Sequence, residues 1–282
     1  MTLTGTPTRA AIVGGAGKVS RHLIPLLIDA GIEAVPLARR DEQLAELERM
    51  GAKPRRLDIE KASADDFLAA FDGCDAVVFA AGGGADGNVE RKRTVDLEGS
   101  IKSMEAARGL GIDRFVQVSA IGVDQPLDGS VGEAWTAYVE AKRAADDALR
   151  QTQLAWTILR PGGLTDDAGT GLVTLAAEVA RATIPRADVA AVIAACLTNE
   201  DSVGRQWELV SGSTPVAKAV SGLPSKNRVY ILNSRIFRAT ASASFGMPNG
   251  HEFSGSPKIR PASISGPNTL LNPRAAGTRT AA

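Results

Sequence analysis

Gly14-Gly15-Ala16-Gly17-Lys18-Val19-Ser20 lies where an apolar run, Ala10–Val13, ends and a helically spaced run, Val19 to Ile28, begins. A second apolar run, Glu33 to Leu37, follows just past Gly31. Glycines at such a junction let the backbone turn tightly and approach a pyrophosphate, whose charge then rests on the unpaired N–H groups of the helix N-terminus. The strand–loop–helix–strand setting is what the fingerprint requires, and it separates the motif from an ordinary glycine-rich loop. Ser20 stands where a third glycine often packs helix against strand, and serine is small enough to serve.

Working outward, apolar strand candidates alternate with helix candidates up to residue 222. The strands are Ala10–Val13, Glu33–Leu37, Lys53–Leu57, Ala76–Ala80, Arg114–Val118, Ala155–Arg160 and Gln206–Val210. The helices are Lys18–Ala30, Asp41–Met50, Asp65–Phe71, Val89–Leu110, Ala134–Thr152 and Arg186–Leu197. Near-continuous apolar runs such as Ala76-Val77-Val78-Phe79-Ala80 suit strands covered on both faces. The alternation predicts an α/β fold: a doubly wound, mainly parallel sheet with helices on both faces, joined by right-handed crossovers. Ligands of such sheets lie beyond the carboxyl ends of the strands, so those positions carry the functional reading.

After the second strand come Arg39 and Arg40, where a site preferring NAD usually places an acid for the ribose hydroxyls. Arginine there suits a 2′-phosphate through bidentate, charge-assisted bonds, unless both are solvated surface residues. Asp41 reads as a helix cap. Asp58, after the third strand, suits either an adenine amino group or the cap of the following turn. Ala80-Ala81-Gly82, continuing into Gly83-Gly84, either brings backbone to a ligand or forms a flexible connection. Pro161 and Gly162 follow the sixth strand, beside the nicotinamide amide or as a simple strand terminator.

Tyr138 and Lys142 sit four apart on the helix after the fifth strand, one turn apart on one face. A free tyrosine, with a pKa of about 10, is a poor base at neutral pH. A nearby ammonium favours the phenolate and is expected to bring the group into working range. Ser119, at the end of the fifth strand, is placed to hold a substrate carbonyl or hydroxyl. Taken singly, the pair is also what an amphipathic helix surface presents, and a serine ending a strand also satisfies a turn.

Gly14 to Val19, Asp75 to Gly82, Arg114-Phe115-Val116-Gln117-Val118-Ser119, Tyr138-x-x-x-Lys142 and Thr157 to Thr165 occur in that order. Together they resemble an atypical short-chain dehydrogenase/reductase of the NAD(P)H-binding, NmrA-like type, from about Arg9 to Val220. The resemblance implies a Rossmann-type sheet with NADP(H) bound along the strand ends, where the residues expected to hold it are Gly14, Gly15, Ala16, Gly17, Lys18, Val19, Arg39, Arg40, Asp58, Ala80, Ala81, Gly82, Lys142, Pro161 and Gly162; the preference for NADP(H) over NAD(H) rests on Arg39, assisted by Arg40. It also implies catalysis by Tyr138, Lys142 and Ser119, with Tyr138 exchanging the proton and Lys142 binding the nicotinamide ribose. The expected activity is NADP(H)-dependent hydride transfer to or from a carbonyl or alcohol substrate. The alternative is a redox sensor or regulatory scaffold without turnover, suggested by the short chain after the sixth strand.

Composition bounds the remainder. Residues 223 to 282 hold eight bases against Glu252 alone, a net +7, so with 32 charges of each sign overall the first 222 residues carry −7. The division expected is a dinucleotide-binding domain over 1–222 and a basic, Ser/Pro-rich tail over 223–282. The tail lacks the apolar surface to offset its ordering entropy and reads as disordered, or as foreign statistics such as a shifted reading frame would give. Its scattered charges argue against a nucleic-acid arm. Its short apolar runs, Val229–Leu232 and Ile236-Phe237, are the only strand or helical-turn candidates there. No run of about 18 apolar residues appears and the first residues lack a signal-peptide core, so a cytoplasmic protein away from membranes is expected. Cys74 and Cys196 read as buried small hydrophobes, and with only His22 and His251 available no metal site is expected. The helices Val89–Leu110 and Ala134–Thr152 suit a dimer interface or the cover of a monomer's sheet equally, leaving oligomeric state open.

Overall fold

The computed structural model describes residues 5–84, 87–128 and 130–222. The expected tail, with its two short apolar runs and His251, lies outside them. Among the described residues the strands are β1 (Arg9–Val13), β2 (Glu33–Ala38), β3 (Arg55–Arg56), β4 (Ala76–Phe79), β5 (Arg114–Val118), β6 (Ala155–Pro161), β7 (Gly163–Thr165), β8 (Leu172–Ala176), β9 (Thr183–Pro185), β10 (Arg205–Ser211) and β11 (Thr214–Pro215). The helices are α1 (Lys18–Asp29), α2 (Asp41–Arg49), α3 (Ala64–Phe71), α4 (Val89–Arg91), α5 (Gly99–Gly109), α6 (Glu133–Arg150), α7 (Arg186–Thr198) and α8 (Val216–Ser221).

Nine strands form one sheet in the order β3-β2-β1-β4-β5-β6-β10-β8-β11. From β3 to β10 every pairing is parallel, whereas β8 and β11 run antiparallel at the far edge. Parallel strands need crossovers, and the helices between them supply these on both faces. Successive strand residues then point to opposite layers. Ala10 and Ile12 join a core built with Leu23, Ile24, Val192 and Ile193 of α1 and α7. Ala11 and Val13 join another built with Phe67, Phe71, Met104 and Leu149 of α3, α5 and α6. In the second layer Phe67 and Phe71 meet edge-on at 6.1 Å, which adds about 0.5–1.5 kcal/mol beyond their buried area.

The expected boundaries shift modestly: the third strand shrinks from Lys53–Leu57 to two residues, and α6 starts at Glu133. Two differences matter more. The helix expected over Val89–Leu110 is interrupted by a π-helical turn, Lys92–Glu98, in which the Gly99 N–H reaches back five residues to the Thr94 carbonyl. The stretch from Gly163 to Pro185 forms β8 and a separate two-stranded parallel ladder of β7 and β9. Such short strands carry too little periodic pattern to read locally.

Both cysteines are buried, as expected: burial pushes the Cys74 thiol up to about 11 and the Cys196 thiol up to about 12. Among the described residues no helix is long and apolar enough to cross a membrane. One buried cation, Arg114, binds β5 to β6 and to the end of α7. It donates to the carbonyls of Ala155 and Cys196 and to the hydroxyls of Thr157 and Ser202, while burial pulls its pKa down to about 10.

Candidate active site

The order of the strands reverses between β1 and β4, and the loops after β1, β2 and β4 enclose a groove of about 270 Å³ there. Gly14, Ala16, Gly17, Arg39, Asp58 and Ala80–Gly82 all line it. The glycines are required by fit. Gly14 has φ +82°, and a Cβ on it would lie 2.7 Å from the Cα of Ala81. A Cβ on Gly15 would overlap Pro36 of β2, and the Gly15 N–H donates to the Leu37 carbonyl at 3.0 Å. The loop is therefore pressed against two strands, leaving the start of α1 facing the groove. Gly17 caps α1 with extended backbone and no side-chain cap, and the first turn of α1 holds no acid. Buried Ser20 ties the loop by donating to the Gly14 carbonyl at 2.9 Å. An uncapped helix start without acids, reached by a loop whose glycines leave no room for a Cβ against the neighbouring chain, fits the pyrophosphate of a dinucleotide.

The other expected contacts divide. The Arg39 guanidinium is half exposed and held 3.3 Å from Glu60, itself on the groove wall. Arg40 does not line the groove. Asp58 lines it, yet its carboxylate also accepts the Glu60 N–H at 3.3 Å, so both readings of that residue find an observation. Lys18 reaches away to Asp166, 2.6 Å distant, and Val19 packs into the core. Pro161 and Gly162 are buried outside the groove: the Pro161 carbonyl accepts the Ile121 N–H, and a Cβ on Gly162 would overlap the Ala182 carbonyl. Gly83 lies where a Cβ would come within 2.7 Å of the Arg91 carbonyl, so this glycine serves a close approach to the helix rather than flexibility.

Tyr138 and Lys142 are brought together on α6, with the Lys142 ammonium 6.0 Å from the phenol ring centre. Lys142 is buried and donates to the carbonyls of Ala81 and Val118, each at 3.2 Å. Its ion-pair partner is Asp96, fully buried on the π-turn, at 3.1 Å. The second Asp96 oxygen accepts the Gly83 N–H at 2.8 Å. Burial pulls the Lys142 pKa down, but the carboxylate of Asp96 and the neighbouring Tyr138 more than offset this, leaving it raised.

The expected activation of the phenol is not what this environment produces. Burial raises the Tyr138 pKa, Lys142 lowers it by less, and Asp96 and Asp146 add to the rise, so the group stays protonated through neutral pH. Asp96 was not legible as a partner because it lies 46 residues upstream on another helix, and the only hint was an acid on a helix face otherwise rich in small residues. A second buried cation, Lys92, sits 5.8 Å from the Tyr138 ring and donates to the Gly84 carbonyl.

Ser119 is not joined to this pair by any hydrogen bond. Its hydroxyl donates to Asp146 at 2.8 Å, within a buried cluster in which Gln117 and Arg160 also bond Asp146 and Arg160 reaches Asp124. Asp146 follows Lys142 by one turn of α6, so Tyr138, Lys142 and Asp146 form one column on the helix. Beside Tyr138 lies a second cavity of about 230 Å³, whose walls include Ile121, Val123, Trp135 and Arg181. The Tyr138 hydroxyl has no hydrogen-bond partner among the described residues.

Residues 14–200 match the family model described as NAD(P)H-binding. The chain is 36% identical over 213 residues to the uncharacterized sugar epimerase YhfK of Bacillus subtilis, covering 75% of this chain and 98% of that protein. A solved structure from Bacillus halodurans, provisionally assigned as an NAD-dependent epimerase/dehydratase, superposes with a TM-score of 0.71 at 37% identity, over 77% of this chain and 100% of that one. The oxidoreductase YlbE of Lactococcus lactis superposes with a TM-score of 0.68 at 29% identity, over 76% and 96%. With the groove, the glycine cradle and the sheet order already in place, these likenesses establish that the chain belongs to the NAD(P)H-binding family of atypical short-chain dehydrogenases/reductases.

Proposed function

We propose that the protein is an NADP(H)-dependent oxidoreductase acting on a carbonyl or alcohol, with Tyr138 exchanging the proton. The observation that carries this reading is Lys142. Its ammonium bonds the Ala81 carbonyl on the wall of the dinucleotide groove and lies beneath the ring of Tyr138, which lines the neighbouring cavity. One buried cation thus joins the two places where cofactor and substrate would meet.

When bound, the dinucleotide supplies or takes up the hydride. Gly14, Ala16 and Gly17 would hold its pyrophosphate and Lys142 its nicotinamide ribose. Tyr138, protonated at neutral pH, is suited to give its proton to a carbonyl oxygen as that oxygen becomes an alkoxide. The phenolate left behind is stabilised by the Lys142 ammonium until water reprotonates it. Ser119 keeps an acceptor lone pair, but its proton is engaged by Asp146, so its part in orienting substrate is the weakest of the three. The sensor reading rested on a shortage of chain for a substrate site. The cavity beside Tyr138 is instead built largely from residues 120–139, before the sixth strand.

The test is a calorimetric titration with NADPH and NADH, followed by absorbance of NADPH against a panel of aldehydes, ketones and quinones. Binding with substrate-dependent oxidation is expected. Binding that discriminates NADPH from NADP⁺ without any oxidation would favour the sensor, and no binding would remove both.

Preference for the phosphorylated cofactor is assigned to Arg39, which lines the groove while Arg40 does not. Arg39→Asp should weaken NADPH roughly 10–100-fold, the worth of a charge-assisted pair, with a smaller loss for NADH. Fluorescence titration measures both, and equal losses would remove the assignment.

A further inference from the structure

We infer that the cavity beside Tyr138 selects small, flat or apolar molecules that carry an anionic group, with Arg181 as the receptor for that charge. The inference that these molecules are substrates rests on the proton-transfer role proposed for Tyr138.

The walls set the apolar part. Ile121, Val123, Leu127 and Trp135 face the same cavity of about 230 Å³, which suits a compound of a single ring rather than a large ligand. Trp135 leaves 48% of its surface exposed, and its ring lies 5.4 Å from that of Tyr138. An aromatic so exposed beside the proposed acid offers a surface on which a flat group can stack.

Arg181 sets the charge. It contributes to the wall, and its guanidinium fills the space that a side chain on Gly122 would occupy. Gly122 has φ +71°, a conformation that favours glycine, so the backbone there makes room for the cation. Arg181 has neither an ion pair nor a hydrogen bond among the described residues. Asp128, the acid on the same wall, accepts the Ser130 N–H at 3.0 Å and is not paired with Arg181. Buried Glu208 fixes the frame: its carboxylate accepts the Gly122 N–H at 3.0 Å and the Val179 N–H at 2.9 Å. It therefore fastens the loop beneath the guanidinium to the loop that carries Arg181. An exposed guanidinium on a cavity wall, with no partner among the described residues, is a receptor for carboxylate or phosphate oxygens.

The experiment compares 4-carboxybenzaldehyde and 4-formylphenyl phosphate with benzaldehyde as substrates with NADPH, for the wild-type chain and Arg181→Gln. The anionic aldehydes should be favoured in kcat/KM by roughly 10-fold or more through KM, and Arg181→Gln should bring the ratio close to one. Whichever anion is favoured identifies the group. In parallel, calorimetry measures benzoate and benzyl alcohol on both proteins. Benzoate binding that Arg181→Gln abolishes supports the anion site even if no aldehyde is reduced, in which case only the oxidoreductase reading fails. Reduction without preference for the charged aldehydes, or a preference that survives Arg181→Gln, overturns the anion site and leaves the oxidoreductase reading standing.

Discussion

Replacing Tyr138 by phenylalanine should lower turnover about 10²-fold or more while changing NADPH affinity little. The substitution removes one oxygen and keeps the ring against Trp135 and the two ammonium groups. Loss of rate without loss of binding is the signature of a group that acts in the chemical step. The raised pKa of Tyr138 adds a pH dependence with a definite sign. Carbonyl reduction needs the protonated phenol, so its rate should hold through neutral pH and fall only above the ordinary tyrosine range. Alcohol oxidation needs the phenolate and should rise over that same alkaline interval. Pre-steady-state rates in both directions would check this. Undiminished turnover in the phenylalanine variant would remove the role altogether.

Breaking the pair of Lys142 and Asp96 should cost more in stability than any surface change in the molecule. Lys142→Met leaves a buried carboxylate without its cation, and Asp96→Leu leaves a buried ammonium held by two carbonyls alone. Either should destabilise by about 3–5 kcal/mol, because the remaining charge is desolvated and unpaired. The double variant Lys142→Met/Asp96→Leu should recover most of that loss, since no lone charge is left, yet turnover should stay near that of Lys142→Met. Urea unfolding of the four proteins with parallel rates separates these outcomes. A double variant as unstable as the sum of its parts would show that the ion pair is not what holds α6 to the π-turn. The pKa of Lys142 is raised in the fold, so its favourable contribution persists across neutral pH and is lost as pH climbs through that raised value.

The parts of this architecture that could be read from sequence are those whose signal is local. The glycine loop between Val13 and Lys18, the buried runs of β1 and β4, and the four-residue spacing of Tyr138 and Lys142 each declare themselves within one or two turns of chain. The charge state of the site does not. It depends on Asp96 meeting Lys142 and on Asp146 being sealed beneath Ser119, contacts set by packing between elements remote in sequence. Helix spacing therefore reveals Lys142 beside Tyr138 but not the two carboxylates and the burial that outweigh it. Arg181 was hidden for a similar reason: it lies among short strands with no sustained period, and only the approach to Gly122 gives it a place. Arg40 shows the reverse limit, since adjacency to Arg39 in sequence says nothing about which of the two turns inward.

The wide turn over Lys92–Glu98 makes this site sensitive to the length of the chain, apart from its chemistry. A helix that gains one residue in a turn swings everything beyond it by about 100° relative to everything before. Losing a single codon there would leave an ordinary helix with all its backbone bonds, but the acid that faces Lys142 would point elsewhere while the alanines and serines of α5 kept their packing. Insertions and deletions between Val89 and Gly99 would thus strand the Lys142 ammonium in the core as well as dismantle the site, so stability and activity would be lost together in one genetic step.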